Sequence, residues 1–202
     1  MNGTKNMRIG LIADTHMPGS REELWPQVFT AFSDVDCILH AGDLHTLDVV
    51  NQLESLAPVY VAKGNGDVDI EDGRVKDNWI LDFGGISVAM IHRLPSPDRR
   101  AHLLSEYASR HFGVNASPDV VIYGHTHQAS VHHIEDRLYV NPGSPTLPRN
   151  QSLRLGTIGF LELQDHRVTA TIVQLTPGGT EPHAELEPLS KALDARLAGN
   201  VD

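Results

Sequence analysis

The feature that most constrains this chain is a pattern repeated where its apolar segments end. Segments of strand length, rich in Val, Ile and Leu, stop at acidic, amide or imidazole side chains, often beside a glycine. The side chains at these ends are Asp14 and His16, Asp43 after Gly42, Asn65 after Gly64, His92, and His125 and His127 after Gly124. Because parallel strands leave a sheet at the same edge, these groups are expected to meet there.

The residue types at these ends predict metal binding. Oxygen and imidazole ligands without thiolate suit Mn, Fe, Co, Ni or Zn, and one carboxylate can bridge two such ions. Asp14 and His16 lie two positions apart where the chain leaves a strand, so both can reach one ion; His125 and His127 repeat this spacing. Asp43, which stands alone after Gly42, is the carboxylate expected to bridge two ions. Singly each motif is ordinary, but together they predict a two-metal site.

Length and composition favour one folded domain spanning residues 1–202. The chain is 40% hydrophobic, and no apolar run approaches the ~20 residues of a membrane span. A formal charge of -10 disfavours stable binding to nucleic acid or to an anionic membrane. The single cysteine, Cys37, lies in an apolar run and is expected to be a small buried hydrophobe. We therefore expect a soluble, cytoplasmic protein.

Hydrophobic periodicity divides the chain into a parallel α/β front and a hairpin-rich back. Helices are predicted over residues 22–32, 46–56 and about 95–112, with strands between them and a hairpin at residues 79–91. A domain core is expected over about residues 7–176. Residues 177–202 form a polar tail, in which Leu189, Leu193 and Leu197 predict a surface helix.

The ordered set of motifs resembles the ligand series of the calcineurin-like metallophosphoesterase superfamily. The loop of residues 141–144, with Pro148 and Arg149, resembles a loop of its small phosphodiesterase branch. This resemblance implies a four-layer αββα sandwich of two mixed β-sheets flanked by helices, with a dinuclear metal site at the strand carboxyl ends. It also implies hydrolysis of a small or nucleotide-like phosphodiester by a hydroxide that bridges two divalent ions, with Mn expected ahead of Fe, Ni, Co or Zn.

The resemblance also assigns roles to individual residues. The first ion would be held by Asp14, His16, Asp43 and His127, and the second by Asp43, Asn65, His92 and His125. Catalytic roles fall on Asp43, Asn65, Asp67 and His92. Substrate contacts are expected from Asn65, His45, Arg93, Ser144 and Arg149.

One departure from the family pattern affects the expected substrate. Many members place a histidine directly after the asparagine, where this chain has Gly66 followed by the expected acid at Asp67. A missing proton donor matters least when the leaving group is already acidic, which favours diesters over alkyl monoesters. His45 is a candidate replacement.

Two alternatives stay open from the sequence. A weakly catalytic or non-catalytic protein-binding scaffold has the same fold, as in the retromer scaffold subunit, and a phosphomonoesterase or protein phosphatase would use the same ions. The complete set of predicted ligands favours catalysis. A homodimer is conceivable from the hairpins and the terminal leucines.

Overall fold

Two β-sheets packed face to face form the centre of the molecule. The structure, a computed structural model, describes residues 6–164 and 166–193. Its strands are β1 (Met7–Ile12), β2 (Cys37–His40), β3 (Val59–Ala62), β4 (Val75–Lys76), β5 (Asn78–Asp82), β6 (Ser87–Ile91), β7 (Val120–Ile122), β8 (Ser130–Ile134), β9 (Arg137–Asn141), β10 (Thr157–Gln164), β11 (Arg167–Thr176), β12 (Gly179–Pro182) and β13 (Leu189–Ala192). Its helices are α1 (Pro26–Ala31), α2 (Asp48–Glu54), α3 (Pro97–Arg100) and α4 (Leu104–Phe112), with 3-10 turns at Ala101–Leu103 and Pro148–Asn150.

Both sheets are mixed. The first runs β12-β11-β10-β1-β2-β3-β4, with β13 also paired to β11, and the second runs β5-β6-β7-β9-β8. Strands β1 to β4 are parallel to one another, whereas β10 pairs antiparallel with β1. In the second sheet β6, β7 and β9 are parallel and the outer strands antiparallel. The parallel strands of each sheet therefore deliver their carboxyl ends to one edge.

Alternating side chains along the strands build the layers. Leu39 and Met90 face the core between the sheets, while their neighbours Ile38 and Ala89 face outward. The outward face of the first sheet packs against α1 and α2, and that of the second packs against α4. Helix, sheet, sheet and helix layers confirm the predicted αββα sandwich.

The helices are shorter than predicted, for local reasons. The first begins at Pro26, not at residue 22, because proline occupies the first helical position and forces Trp25 into an extended conformation at ψ 134°. The predicted helix at 95–112 is broken by a 3-10 turn, where Arg100 leaves the helical region at φ -136°. In the described ranges no helix is long and apolar enough to cross a membrane.

The predicted terminal helix is wrong where the structure describes it. Leu189–Ala192 is a strand, paired antiparallel with β11, and Leu197 lies outside the described residues. Residues 189 and 193 share a face in either structure, because four is close to a helical turn and a multiple of the strand period. Lys191, on the same face, is buried and donates to Asp119 Oδ1 at 3.1 Å and to the Asp136 carbonyl at 2.7 Å. Because lysine is ordinarily exposed, Lys191 on the inward face obscured the alternation of apolar and polar residues that would have predicted a strand.

The core between the sheets sets the stability of the scaffold. Leu39 is fully buried there, so Leu39→Ala is expected to lower the free energy of unfolding by roughly 2–5 kcal/mol. Val114→Ala is the control, because Val114 is 83% exposed and its truncation should cost about 0.5 kcal/mol or less. Urea denaturation measures both, and equal losses would contradict this placement of the core.

Candidate metal centre

The loops that follow five strands meet over the junction of the two sheets. Three of these strands, β1, β2 and β3, are parallel neighbours, and so are β6 and β7 in the facing sheet. Backbone hydrogen bonds join the loops directly, from Asp14 N–H to Gly42 O at 2.9 Å and from Gly124 N–H to His92 O at 2.9 Å. The polar ends identified in the sequence are therefore brought together.

The first group of possible ligands contains Asp14, His16, Asp43 and His127. Their donor atoms all lie within 4.8 Å of one another. His16 Nε2 is 3.0 Å from His127 Nε2 and 3.4 Å from Asp43 Oδ2. Asp14 Oδ1 is 3.6 Å from His127 Nε2 and 4.0 Å from His16 Nε2. Ligands about 2.0–2.2 Å from a shared ion have spacings of this order, so the group fits one divalent cation.

The second group shares Asp43 with the first. Asp43, His92 and His125 have donor atoms within 4.8 Å of one another. His92 Nε2 lies 3.4 Å from Asp43 Oδ2 and 3.2 Å from Asn65 Oδ1. His125 offers Nδ1, at 3.0 Å from Asn65 Oδ1. Asn65 adds an oxygen without adding charge, and the group fits a second cation beside the first.

Hydrogen bonds on the far side orient two of the imidazoles. His92 Nδ1–H donates to the Ala41 carbonyl at 2.7 Å, and His127 Nδ1–H donates to the Leu147 carbonyl at 3.2 Å. Each bond holds the ring so that Nε2 faces the centre, where a bound cation would take the place of a proton on that nitrogen. Such backing is typical of histidines that bind metals.

The electrostatics of the buried acids favour a cation. Burial raises the pKa of Asp14 to about 8; His92 opposes this shift and the Asp43 carboxylate adds to it. Burial alone would raise the pKa of Asp43, but hydrogen bonds from His92 and from Gly66 N–H hold it below its usual value. Burial lowers the pKa of His16 to about 4, so this imidazole is neutral and able to bind a metal near neutral pH.

The backbone is strained at the same positions. Left-handed φ values between 46° and 72° occur at Asp14, His16, Asp43, His45, His125 and His127. Each costs roughly 1–2 kcal/mol for a residue with a side chain, and such strain concentrates at functional sites. His45 shares this conformation with the predicted ligands.

His45 explains the glycine at position 66. The exposed His45 ring packs edge-on against His16, with ring centroids 4.4 Å apart. A Cβ built on Gly66 would lie 2.2 Å from His45 Nε2, so a side chain there would displace the ring. An imidazole from the loop after β2 thus covers the position at which the family usually carries a histidine.

Asp67 does not face the centre as its predicted catalytic role requires. It is fully buried, and its carboxylate accepts backbone N–H groups from Asp43, Leu44, His45 and Gly64 at 2.8–2.9 Å. These four bonds tie the Asp43 loop to the Asn65 loop. These contacts make Asp67 a positioning residue, and its catalytic role stays a prediction that they do not support.

Ser144, predicted as a substrate contact, is likewise occupied by backbone partners. It is fully buried, donates to the Asp14 carbonyl at 2.7 Å, and accepts Leu147 N–H at 2.8 Å. Its neighbour Thr146 donates to the Thr15 carbonyl at 2.7 Å. The loop that resembles one in the small phosphodiesterase branch thus braces the Asp14–His16 turn.

Sequence reasoning missed two further buried braces. Asn141 donates to the Gly124 carbonyl at 2.9 Å, which fixes the start of the His125 turn. His40, the last residue of β2, accepts Gly42 N–H at 3.1 Å and lies 3.2 Å from Thr15 Oγ1. Burial lowers the pKa of His40 to about 4, so it is a neutral structural link. Polar residues inside apolar runs were the available signal.

The remaining predicted substrate contacts are exposed at the rim. Arg93 directly follows His92, and Arg149 donates its backbone N–H to the His127 carbonyl at 3.0 Å. The two arginines thus stand beside different groups of possible ligands. Both side chains are accessible to a bound molecule.

The αββα fold and its Asp/His cluster define the class of metallophosphoesterases. The chain belongs to the calcineurin-like phosphoesterase superfamily, whose domain model matches residues 7–166. A probable metallophosphoesterase of Methanothermobacter thermautotrophicus is 38% identical over 170 residues, covering 83% of this chain and 92% of that protein. A phosphodiesterase of Methanocaldococcus jannaschii is 29% identical over 147 residues, which cover 68% of this chain and 83% of that protein.

Solved structures confirm the fold. Vacuolar protein sorting 29 from Cryptosporidium parvum superposes with a TM-score of 0.74 at 21% identity, covering 92% of this chain and 99% of that one. Vps29 from Entamoeba histolytica in complex with zinc has a TM-score of 0.69 at 23% identity, covering 91% and 99%. At these identities the likeness concerns architecture.

Asp14→Asn tests the electrostatic account of the centre. In wild type the folded pKa is about 8 against an ordinary value of 3.8, so folding takes up a proton between these values and stability falls as pH rises. The variant lacks this titration. With metal removed by a chelator, the melting temperature of Asp14→Asn minus that of wild type should increase as the pH is raised from about 5 to about 8. A difference in melting temperature that does not change with pH would contradict this account. Added Mn should stabilise wild type more than Asp14→Asn, which lacks one carboxylate ligand.

Three glycine substitutions test the packing around Asp43. A Cβ on Gly64 would meet Asp43 N and Oδ1 at 2.2 Å. One on Gly66 would meet the end of the His45 ring at 2.2 Å and Asp43 Oδ1 at the longer distance of 3.3 Å, and one on Gly73 would meet nothing within 4 Å. Gly64→Ala is expected to cost roughly 1–3 kcal/mol, because backbone must move. Gly66→Ala should cost less, and the control Gly73→Ala about nothing. Urea unfolding measures the loss of stability in each variant. Equal losses in all three would contradict this order.

Proposed function

We propose that the protein is a phosphodiesterase that uses two divalent ions, preferably Mn, to hydrolyse a small or nucleotide-like phosphodiester. The observation that carries the proposal is the position of Asp43, whose Oδ2 lies 3.4 Å from both His16 Nε2 and His92 Nε2. A carboxylate shared by two donor groups is what a pair of neighbouring ions requires. The phosphodiesterase among the relatives supports the same reaction class.

Different residues of the chain would bind the ions and contact the substrate. Bound divalent ions would supply Lewis-acid polarisation of phosphate oxygens and would lower the pKa of bound water. Asp43 and the imidazoles would hold these ions in place. Asn65 is exposed as well as close to His92, so its amide can also contact a phosphate oxygen.

The glycine at position 66 is the reason to expect a diester. The neighbouring His45 is exposed and its Nε2 lies over Gly66, so it is placed to donate a hydrogen bond to a phosphate oxygen at the mouth of the centre. The glycine itself provides no proton donor for a poor leaving group. Diesters with acidic leaving groups depend least on such a donor and are the favoured substrates.

The test compares bis(p-nitrophenyl) phosphate with p-nitrophenyl phosphate, using metal-stripped protein to which Mn, Ni, Co, Zn or Mg is added singly. The diester is expected to react faster, and Asp43→Ala should lower kcat/KM at least about 100-fold, because it removes a ligand of both ions. Asp77→Ala, which removes an exposed acid outside the centre, is the matched control.

The outcomes separate the alternatives. Faster hydrolysis of p-nitrophenyl phosphate would indicate a phosphomonoesterase. Metal binding by calorimetry with no turnover of either compound, and no effect of Asp43→Ala, would refute the phosphodiesterase proposal and favour a scaffold. Size measurement in solution tests the proposed homodimer separately.

A further inference from the structure

A cleft beside the second ligand group carries an unusual concentration of positive charge. It has a volume of about 540 Å³, and Arg93, Arg99, Arg100, Tyr107 and His125 are among the residues that line it. That volume falls within the range of about 300–1,000 Å³ typical of small-molecule sites. Since His125 also belongs to the candidate metal centre, the cleft opens directly from it.

Three arginines elsewhere in the chain have a carboxylate partner, unlike those that line this cleft. Arg8, Arg74 and Arg110 pair with carboxylates at 2.6 Å, 2.7 Å and 2.8 Å. Within residues 6–164 and 166–193, no carboxylate forms a salt bridge with Arg93, Arg99 or Arg100.

The nearest acid in sequence contacts a different partner. Asp98 precedes Arg99 directly, but its carboxylate lies 3.1 Å from His132 Nδ1 on β8. Three exposed guanidinium groups without a carboxylate partner form a positively charged patch on a protein whose net charge is -10.

The cleft is anchored to the metal centre. Tyr107 donates its hydroxyl proton to the Arg93 carbonyl at 2.8 Å, which ties α4 to the residue after His92. The His92 carbonyl in turn accepts Gly124 N–H at 2.9 Å. The backbone that carries Arg93 is thus held from both sides, at a fixed position relative to the candidate ligands.

We propose that this cleft is a subsite for a second phosphate group carried on one arm of the substrate. The proposal rests on the proposed phosphodiesterase function and narrows its substrate class to diesters that bear a further phosphate. The ions would hold the phosphate that is cleaved. The guanidinium forks of Arg99 and Arg100, with Arg93 at the entrance, suit the geometry of a second phosphate better than a single ammonium would.

The test uses two substrates that differ by one phosphate. Thymidine 5'-(p-nitrophenyl phosphate) and its 3'-phosphorylated counterpart have the same leaving group. Wild type should favour the 3'-phosphorylated compound by about 10- to 100-fold in kcat/KM, mainly through KM, as expected for hydrogen bonds to a charged group. In Arg99→Gln/Arg100→Gln this ratio should fall towards one. Arg167→Gln, an exposed arginine on β11, is the control and should keep it.

A metal-free measurement separates this proposal from the proposed function. Calorimetric titration of thymidine 3',5'-bisphosphate into chelator-treated protein should show binding that weakens about tenfold or more in the double glutamine variant. Arg99→Lys/Arg100→Lys keeps the charge without the forks and should bind with intermediate affinity. Thermal melting confirms that each variant is folded.

Each outcome decides one of the two proposals. Absence of hydrolysis of both compounds refutes the phosphodiesterase, while calorimetry still reports on the cleft. A wild-type ratio near one, or a ratio or bisphosphate affinity that the double glutamine variant leaves unchanged, refutes the subsite.

Discussion

Two carboxylates, Asp14 and Asp43, are buried together at the junction of the sheets, and the rest of the site follows from that constraint. The proximity of Asp43 adds to the burial that raises the pKa of Asp14 to about 8. Buried charges of one sign are tolerated only when positive charge compensates them. Burial would lower the pKa of His92, but these two acids reverse the shift. A divalent cation would compensate them more completely.

Holding such groups in place requires a second layer of buried polar contacts. Asp67 joins two loops through four backbone N–H groups, and Ser144 braces the Asp14 carbonyl from the opposite side. Neither touches the space where ions or substrate would lie. Both residues had been predicted as functional, and their contribution is to fix the strained turns that carry the ligands. Pre-organisation of this kind is what metal sites require of their surroundings.

Charge outside the centre is distributed unevenly. The chain is acidic overall, yet exposed arginines stand on both sides of the ligand groups, with Arg93 next to His92 and Arg149 next to His127. These arginines would attract an anionic substrate to an edge of a protein whose net charge would otherwise repel it. The exposed His45 ring adds a hydrogen-bonding group beside His16.

The sequence by itself determined the fold class, the strands that carry the site and the residues that could bind metal. These predictions depend on local patterns, since apolar runs ending in Asp, Asn or His mark the carboxyl ends of buried strands. Helix boundaries were less accurate. The effect of Pro26 was readable from the sequence, whereas the break after Arg100 was not.

Only the tertiary structure decided which polar residues face the centre. Asp67 and Ser144 have the same chemistry as true ligands or substrate contacts, and their roles depend on whether backbone N–H groups or open space surround them. The relation between His45 and Gly66 also joins loops 21 positions apart in the chain. The terminal strand depended on pairing with β11, because a spacing of four residues satisfies both a helix and a strand. Local sequence specifies an element's own pattern, but the neighbours that satisfy its polar groups are set by long-range packing.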